Sequence, residues 1–271
     1  MGLVMNAVAR EPASPIRWEA MRTLAAEIGD EAILSIRGDS GAALIGGPDV
    51  VVETQGPVCE GSVRVAADGE GGVFAAWWAP REDSNAVLVV ARRAVTSSGW
   101  TAPVVADARD QGKAGCRRPP PGIAADAARG YVHLAYYLDA PTGAGVYGGH
   151  SMESGTYFHG PVAIVYGDRP VAAAIATSGD LAAVAYEDPN SARSRIAVAI
   201  SLTAGHLYEQ RVEASPSSMR ATNPRVAVNG RRIAVAWSAE QWEQGAQGSR
   251  AMLRVGTITD DGKPGPGGHE R

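Results

Sequence analysis

The 271-residue sequence predicts an all-β fold, a β-propeller built from four-stranded antiparallel blades. Three observations predict it: one segment recurs four times, its spacing is close to that of a propeller blade, and helical periodicity is weak almost everywhere. Each copy is an apolar alternating run, a polar turn and a second alternating run that ends in an aromatic residue, which is typical of a β-hairpin. The four copies are Ser62–Trp78, Pro121–Tyr137, Pro170–Tyr186 and Asn223–Trp237.

The aromatic residues near the end of each copy set the length of the repeat. Trp77, Tyr136, Tyr186 and Trp237 are separated by 59, 50 and 51 residues. Two further alternating runs follow each of the first three hairpins, as in AVLVVARRA and TAPVVA after the first copy. A unit of about 50 residues with four strands fits one propeller blade.

The two ends of the chain are predicted to differ from the repeats. Residues 1–30 are expected to form an N-terminal extension, in which Ile16–Ile28 could be one helix or a pair of strands. A single propeller domain is expected over 31–260, with Glu31–Thr54 completing the last blade because a ring must close to remove open sheet edges. Five blades are expected, with four or six as alternatives. The Gly- and Pro-rich residues 261–271 are expected to be a flexible tail.

Composition narrows the classes of partner. Hydrophobic residues make up 45% and charged residues 20% of the chain, a balance expected of a soluble globular protein. The net charge of −4 argues against a nucleic-acid partner. No apolar run approaches a membrane span, which needs about 18 residues, and residues 1–15 lack the features of a signal peptide. No cofactor is expected, because the Gly-rich stretches lack a following helix and no Cys-x-x-Cys motif occurs.

A second motif occupies the turn between the third and fourth strands of two successive repeats. These turns, SMESGTYF (Ser151–Phe158) and SLTAGHLY (Ser201–Tyr208), resemble the Asp-box, Ser-x-Asp-x-Gly-x-Thr-Trp, of sialidase-like (BNR-repeat) propellers. The resemblance implies a structural turn tied by polar side chains, with its aromatic residue packed beneath, and it favours a secreted or periplasmic protein. The matching positions are Ser151, Glu153, Gly155, Phe158, Ser201, Gly205 and Tyr208.

Strand order predicts which residues share a face of the disc. In each blade the first strand starts, and the second strand ends, on the face opposite the box turns. Counting back 17 or 18 residues from the aromatic residues reaches Glu60, Arg118, Arg169 and Arg220. Arginine forks suit carboxylates, so this rim is predicted to bind an anion. The residues expected to contact the ligand are Arg118, Arg169, Arg220, Glu60, Asp168 and Glu187.

Three functions are compatible with such a rim. The first is a non-catalytic module that binds an acidic glycan or another carboxylate. The second is an exo-sialidase-type glycoside hydrolase, and the third is a protein-interaction scaffold without a small-molecule site, in which the rim arginines and acids pair with one another. The first is preferred. A binding module requires only that the arginines recur at the same position of successive repeats, and the sequence shows no complete set of catalytic residues.

Resemblance to sialidases implies what a catalytic rim would contain. Those enzymes hold the sugar carboxylate with an arginine triad beside an aspartate acid/base and a tyrosine nucleophile. Here Asp139 or Asp188 would be the acid/base, and Tyr137 or Tyr166 the nucleophile. The chain departs from the pattern, because the early Arg-Ile-Pro motif and the late tyrosine are missing, and these departures favour binding without turnover.

The two cysteines lie at matching points of adjacent repeats. Cys59 and Cys116 each come just before a predicted inner strand. Two thiols there could approach disulfide distance, which would suit an oxidising compartment, or they could remain a free, half-buried pair.

Two histidines and a methionine lie beside the first box-like turn. His150, Met152 and His159 flank the first box and carry donors that suit copper, but the sequence shows no tighter cluster and no metal site is expected. His133, inside a second strand, is expected to be a packed, hydrogen-bonded core residue.

Overall fold

The computed structural model describes residues 14–24, 37–38, 41–42, 57–97, 99–243 and 246–259. Apart from one 3₁₀ turn at Glu60–Ser62, their regular structure is entirely β. Four antiparallel sheets follow one another along the chain, each formed by strands that are consecutive in sequence except at the N-terminus. The predicted all-β propeller is confirmed.

The first three sheets are complete blades, and each begins with one of the predicted hairpins. Blade 1 contains β5 (Arg64–Ala67), β6 (Val73–Pro80), β7 (Ala86–Arg93) and β8 (Val104–Asp107). Blade 2 contains β9 (Gly122–Asp126), β10 (Tyr131–Ala140), β11 (Gly143–Ser151) and β12 (Val162–Tyr166). Blade 3 contains β13 (Ala173–Ser178), β14 (Leu181–Glu187), β15 (Ile196–Ser201) and β16 (Gln210–Glu213).

Blade 4 combines the two ends of the described chain. It contains β17 (Arg220–Asn229), β18 (Arg232–Glu243) and β19 (Ala246–Ile258), and its outer strand is β1 (Ile16–Trp18). Strand β2 (Arg22–Thr23) also pairs with β19.

Residues 14–24 therefore belong to the sheet of blade 4. In residues 14–24 the helix alternative for Ile16–Ile28 is wrong, because these residues pair with a strand edge. The boundary predicted at residue 30 lies outside the described residues and stays a prediction. Of Glu31–Thr54, only β3 (Arg37–Gly38) and β4 (Gly41–Ala42) are described, and they pair with each other. The remainder of that segment, the number of blades and the tail at 261–271 lie outside the described residues.

Inner strands of successive blades lie side by side. Strand β9 contacts β5 and β13, and β13 in turn contacts β17. At Gly122 an added Cβ would lie 3.0 Å from the Cα of Ala174, so glycine permits this close approach of blades 2 and 3. This explains why small residues dominate the first strand of each repeat.

The repeat aromatics are the anchors of the core between sheets. Trp77, Tyr136, Tyr186 and Trp237 are at most 2% exposed, and each belongs to a different hydrophobic cluster. Large aromatic side chains contribute more burial energy than any other residue type, so one at the same position in every repeat secures every blade. The recurring aromatic thus indicates where each sheet meets its neighbour.

Two of these anchors differ in a way that can be tested. The Tyr136 hydroxyl donates a hydrogen bond to Asp107 Oδ2 at 2.8 Å, whereas the Tyr186 hydroxyl is buried without a partner. We expect Tyr136→Phe to lower the free energy of unfolding by about 1–2 kcal/mol, and Tyr186→Phe to leave it unchanged or raise it slightly. Urea denaturation of the two variants measures this, each serving as the other's control. The reverse order of stabilities would contradict the assignment.

Candidate functional site

At the rim, blades 1, 2 and 3 are each hydrogen-bonded to the next blade through a residue at the same position of the repeat. The residue after each repeat aromatic bonds to the main chain that leads into the following blade. Trp78 Nε1 donates to the Pro119 carbonyl at 3.0 Å, and the Tyr137 hydroxyl donates to the Gly167 carbonyl at 3.2 Å. In blade 3 the Glu187 carboxylate accepts the Asn223 N–H at 2.9 Å. Tyr137 and Glu187, predicted as site residues, therefore join neighbouring blades.

Arg118 is held within its own loop. Its guanidinium pairs with Asp110 at 2.7 Å and also donates to the carbonyls of Gly112 and Gly115. The side chain is 5% exposed. The partners come from the loop between β8 and β9, so Arg118 braces that loop and does not offer a free fork at the surface.

Asp188 is the centre of a polar network in blade 3. Its carboxylate accepts hydrogen bonds from the Asn190 N–H, the Ser191 hydroxyl and the Arg211 guanidinium at 2.8–3.0 Å. Burial opposes ionisation of this carboxyl, but the hydrogen bonds and the charges of Arg211 and Arg195 outweigh burial, and its pKa lies below the usual range. Asp188 is therefore ionised at neutral pH and unsuited to donate a proton.

Arg169 bonds to the same residue through the main chain. One terminal nitrogen of Arg169 donates to the Asp188 carbonyl, while its Nε is buried without a partner. Asp168, the preceding residue, is exposed. The guanidiniums of Arg169, Arg195 and Arg211 thus surround a single aspartate.

Arg220 is the most accessible of the three predicted arginines. It pairs with Glu240, directly across the β17–β18 ladder, at 3.0 Å. The two side chains are 53% and 38% exposed. Glu187, by contrast, uses both carboxylate oxygens within the protein, for the Asn223 N–H and for the Ser194 hydroxyl at 3.3 Å.

The predicted catalytic tyrosines and Asp139 do not form a reactive group. Burial, followed by the nearby charges of Asp139 and Asp168, raises the pKa of Tyr137 to about 12. Tyr166 is exposed, with its ring edge-on to Tyr147. Asp139 is also exposed. In the described part of the chain neither Tyr137 nor Tyr166 has a carboxylate hydrogen-bonded to its hydroxyl, so neither hydroxyl is activated as a nucleophile.

The remaining rim predictions concern Glu60 and the cysteines. Glu60 begins the 3₁₀ turn before β5, and its side chain lies outside what is described. Cys59 and Cys116 are joined by a disulfide with a Cα–Cα distance of 5.1 Å. The bridge links the segments that lead into blades 1 and 2, close to the Trp78 hydrogen bond.

On the opposite face, the two box-like turns have the same hydrogen-bond geometry. The Ser151 hydroxyl accepts the N–H groups of Glu153 and Gly155, and the Ser201 hydroxyl accepts those of Thr203 and Gly205. Both glycines have positive φ, +75° and +82°. The aromatic residues that follow, Phe158 and Tyr208, pack into hydrophobic clusters. We call this side of the disc the box face.

One expectation about the core is wrong. His133 is buried, as predicted, but neither of its ring nitrogens has a hydrogen-bond partner. The sequence showed a histidine in an apolar strand and could not show that its neighbours would be other histidines.

A small cleft also lies on the box face, between blades 1 and 2. Its volume is about 140 Å³, and its lining includes Asp68, Phe74, Arg92 and Tyr131. Asp68 accepts the N–H groups of Glu70 and Gly72, so its carboxylate stabilises the β5–β6 turn. Pockets for organic ligands usually measure about 300 Å³ or more. No described helix has the length and apolar character needed to cross a bilayer.

Comparison with known proteins gives a likeness in fold. No protein-family model matches the chain, and no curated protein sequence matches it. A protein of unknown function from Dyadobacter fermentans has a TM-score of 0.50 at 11% identity, covering 90% of this chain and 72% of that one. A Hadza microbial sialidase has a TM-score of 0.47 at 12% identity, covering 70% and 43%. A GH43 endo-arabinanase from Bacillus licheniformis has a TM-score of 0.45 at 12% identity, covering 81% and 91%.

These identities limit the likeness to the fold. The chain spans less than half the length of the sialidase. The resemblance to sialidase-like propellers therefore concerns the arrangement of strands, and the function has to be argued from the residues of this chain.

Proposed function

We propose that this chain is a non-catalytic binding module that holds an anionic ligand, an acidic glycan or another carboxylate, at the rim of blade 3 and the start of blade 4. One observation carries the proposal: three guanidiniums lie around Asp188. Arg211 pairs with its carboxylate, Arg169 donates to its main-chain carbonyl, and Arg195 lowers the pKa of its carboxyl through its charge. Each guanidinium has five N–H donors, so this part of the rim has more donors than its own acids can satisfy.

Arg220 is the residue proposed to contact the ligand first. The strand that Arg220 begins is held against blade 3, because the Glu187 carboxylate accepts the Asn223 N–H and the Ser194 carbonyl accepts the Ala221 N–H. An exposed ion pair such as Arg220–Glu240 contributes only about 0–1 kcal/mol. A ligand carboxylate can therefore replace Glu240 at little cost and gain a bidentate contact.

The same geometry argues against turnover. A retaining glycosidase needs one carboxyl that donates a proton and a nucleophile that is activated by a base. Asp188 is held ionised, and the Tyr137 hydroxyl donates to a carbonyl and has a raised pKa. These groups are suited to holding blades together.

The proposal predicts a specific loss of binding. The probes are N-acetylneuraminate, glucuronate and galacturonate. For each of these sugars that binds the native chain, we expect Arg220→Ala to weaken the affinity by about tenfold or more, because a charge-assisted hydrogen bond contributes about 1.5–3 kcal/mol. Isothermal titration calorimetry measures this, and affinity should fall as salt rises. The matched control is Arg129→Ala, since Arg129 pairs with Asp180 at similar exposure on the box face.

Three outcomes would overturn the proposal. If none of the three sugars binds, or if both variants bind them as the native chain does, the rim is not an anion site and a protein-interaction scaffold becomes the better explanation. If the chain cleaves a fluorogenic sialoside and Asp188→Asn abolishes the cleavage, the chain is a hydrolase.

A further inference from the structure

Four of the five histidines of the chain meet on the box face, between blades 2 and 3. His133 and His150 are cross-strand partners on β10 and β11, His159 follows the box turn of blade 2, and His206 lies in the box turn of blade 3. The ring of His150 lies 4.2 Å from that of His206, 4.8 Å from that of His159 and 6.4 Å from that of His133, between ring centroids. We call these four residues the histidine cluster.

The buried members of the cluster lack hydrogen-bond partners. His133 and His150 are 1% and 2% exposed, and none of their four ring nitrogens makes a hydrogen bond. A buried polar group without a partner lowers the stability of the fold by about 1–3 kcal/mol, so apolar side chains would give a more stable core at these two positions. The turn of blade 3 closes over this pair, because an added Cβ at Gly205 would lie 3.0 Å from Nδ1 of His133.

The other two members of the cluster, His206 and His159, are less buried. Nδ1 of His206 lies 2.7 Å from the Thr203 carbonyl, which can only accept, so Nδ1 carries a proton and, in the neutral ring, the lone pair is on Nε2. Metal-binding histidines are commonly held in this way, with the second ring nitrogen bonded to a carbonyl. Nε2 of His159 lies 3.7 Å from the Glu153 carboxylate, which supplies negative charge beside the cluster.

We propose that the histidine cluster binds one divalent transition-metal ion, Zn²⁺ or Cu²⁺, with His150, His159 and His206 as ligands and His133 as the fourth. Imidazole is a preferred ligand of both ions, and four nitrogen donors complete a small coordination shell. The ion would bond one nitrogen of each buried ring and would connect the turns of blades 2 and 3. The site lies on the face opposite the proposed anion site and does not depend on it.

Binding requires the exposed rings to rotate. As placed, no three His, Cys, Asp or Glu side chains of the described residues are grouped to hold a metal ion, and the rings of His150 and His159 are stacked with an interplanar angle of 4°. His206 is exposed and the His159 side chain is 35% exposed, and neither residue lies in a strand, so the proposed rotation concerns these two side chains.

The test uses tag-free protein that has been treated with EDTA and dialysed. Calorimetric titration with ZnCl₂ and separately with CuSO₄ should show one ion bound per chain, and the bound ion should raise the thermal unfolding midpoint. We expect His159→Ala and His206→Ala each to weaken binding by about tenfold or more. The matched control is His269→Ala, which removes the remaining histidine of the chain and should leave binding unchanged.

Two results would overturn this proposal. One is the absence of stoichiometric binding of either ion to the native chain. The other is binding that His159→Ala and His206→Ala leave intact, which would place the ion elsewhere. Neither position lies in a strand, so the variants should fold, and circular dichroism of each checks this before titration.

Discussion

The double variant Cys59→Ser/Cys116→Ser is expected to unfold with a free energy about 4 kcal/mol lower than that of the oxidised chain. The disulfide joins residues that are 57 apart in sequence, and closing a loop of that length removes about this much conformational entropy from the unfolded chain. It also joins blades 1 and 2 beside the Trp78–Pro119 hydrogen bond, so its loss should loosen that contact first.

Urea denaturation of the oxidised chain, the reduced chain and the double variant measures the effect. The reduced chain is the matched control, because it keeps both sulfur atoms and should unfold at nearly the same urea concentration as the variant. Equal midpoints for all three samples would show that the bridge contributes nothing to stability.

Replacing Asp188 with Asn is expected to lower the free energy of unfolding by about 2–3 kcal/mol at neutral pH. The substitution keeps the shape of the side chain but removes its negative charge. That charge is stabilised by the ion pair with Arg211 and by hydrogen bonds from Asn190 and Ser191. The control is Asp180→Asn, whose exposed pair with Arg129 should contribute less than about 1 kcal/mol.

The Asp188 effect has a pH dependence of defined sign. Its pKa is lower in the folded chain than in the unfolded chain, so its stabilisation is fully present above the ordinary aspartate pKa of about 4. The stabilisation is lost as the pH falls through the folded pKa. Urea denaturation from pH 7 down to pH 3 should therefore show the difference between native chain and Asp188→Asn shrinking at the acidic end. A difference that is constant over this range would contradict the assignment.

The hairpins of the four repeats were predictable because they depend on neighbours in sequence. Each hairpin is specified by alternating apolar residues on both sides of a polar turn, and a buried aromatic residue such as Tyr186 lies near its end. The outer strand of blade 4 was not predictable, because Ile16–Trp18 is too short to show a period and pairs with a strand more than 200 residues away.

The sequence predicted where the rim arginines lie along each repeat, but it did not predict which residues they contact. The register placed Arg118, Arg169 and Arg220 at the start of successive blades, which the fold reproduces. Register does not specify a side chain's partner. The loop between β8 and β9 determines that Arg118 faces Asp110, and cross-strand pairing determines that Arg220 faces Glu240.

The sequence by itself therefore determined the all-β propeller, its hairpins and the aromatic residues between its sheets, because all three follow from local alternation and a repeat length. Only the tertiary structure decided the partners of the rim arginines, the disulfide and the meeting of His133 and His150 with His206. These contacts join residues that are distant along the chain, and their geometry depends on how neighbouring blades and loops pack.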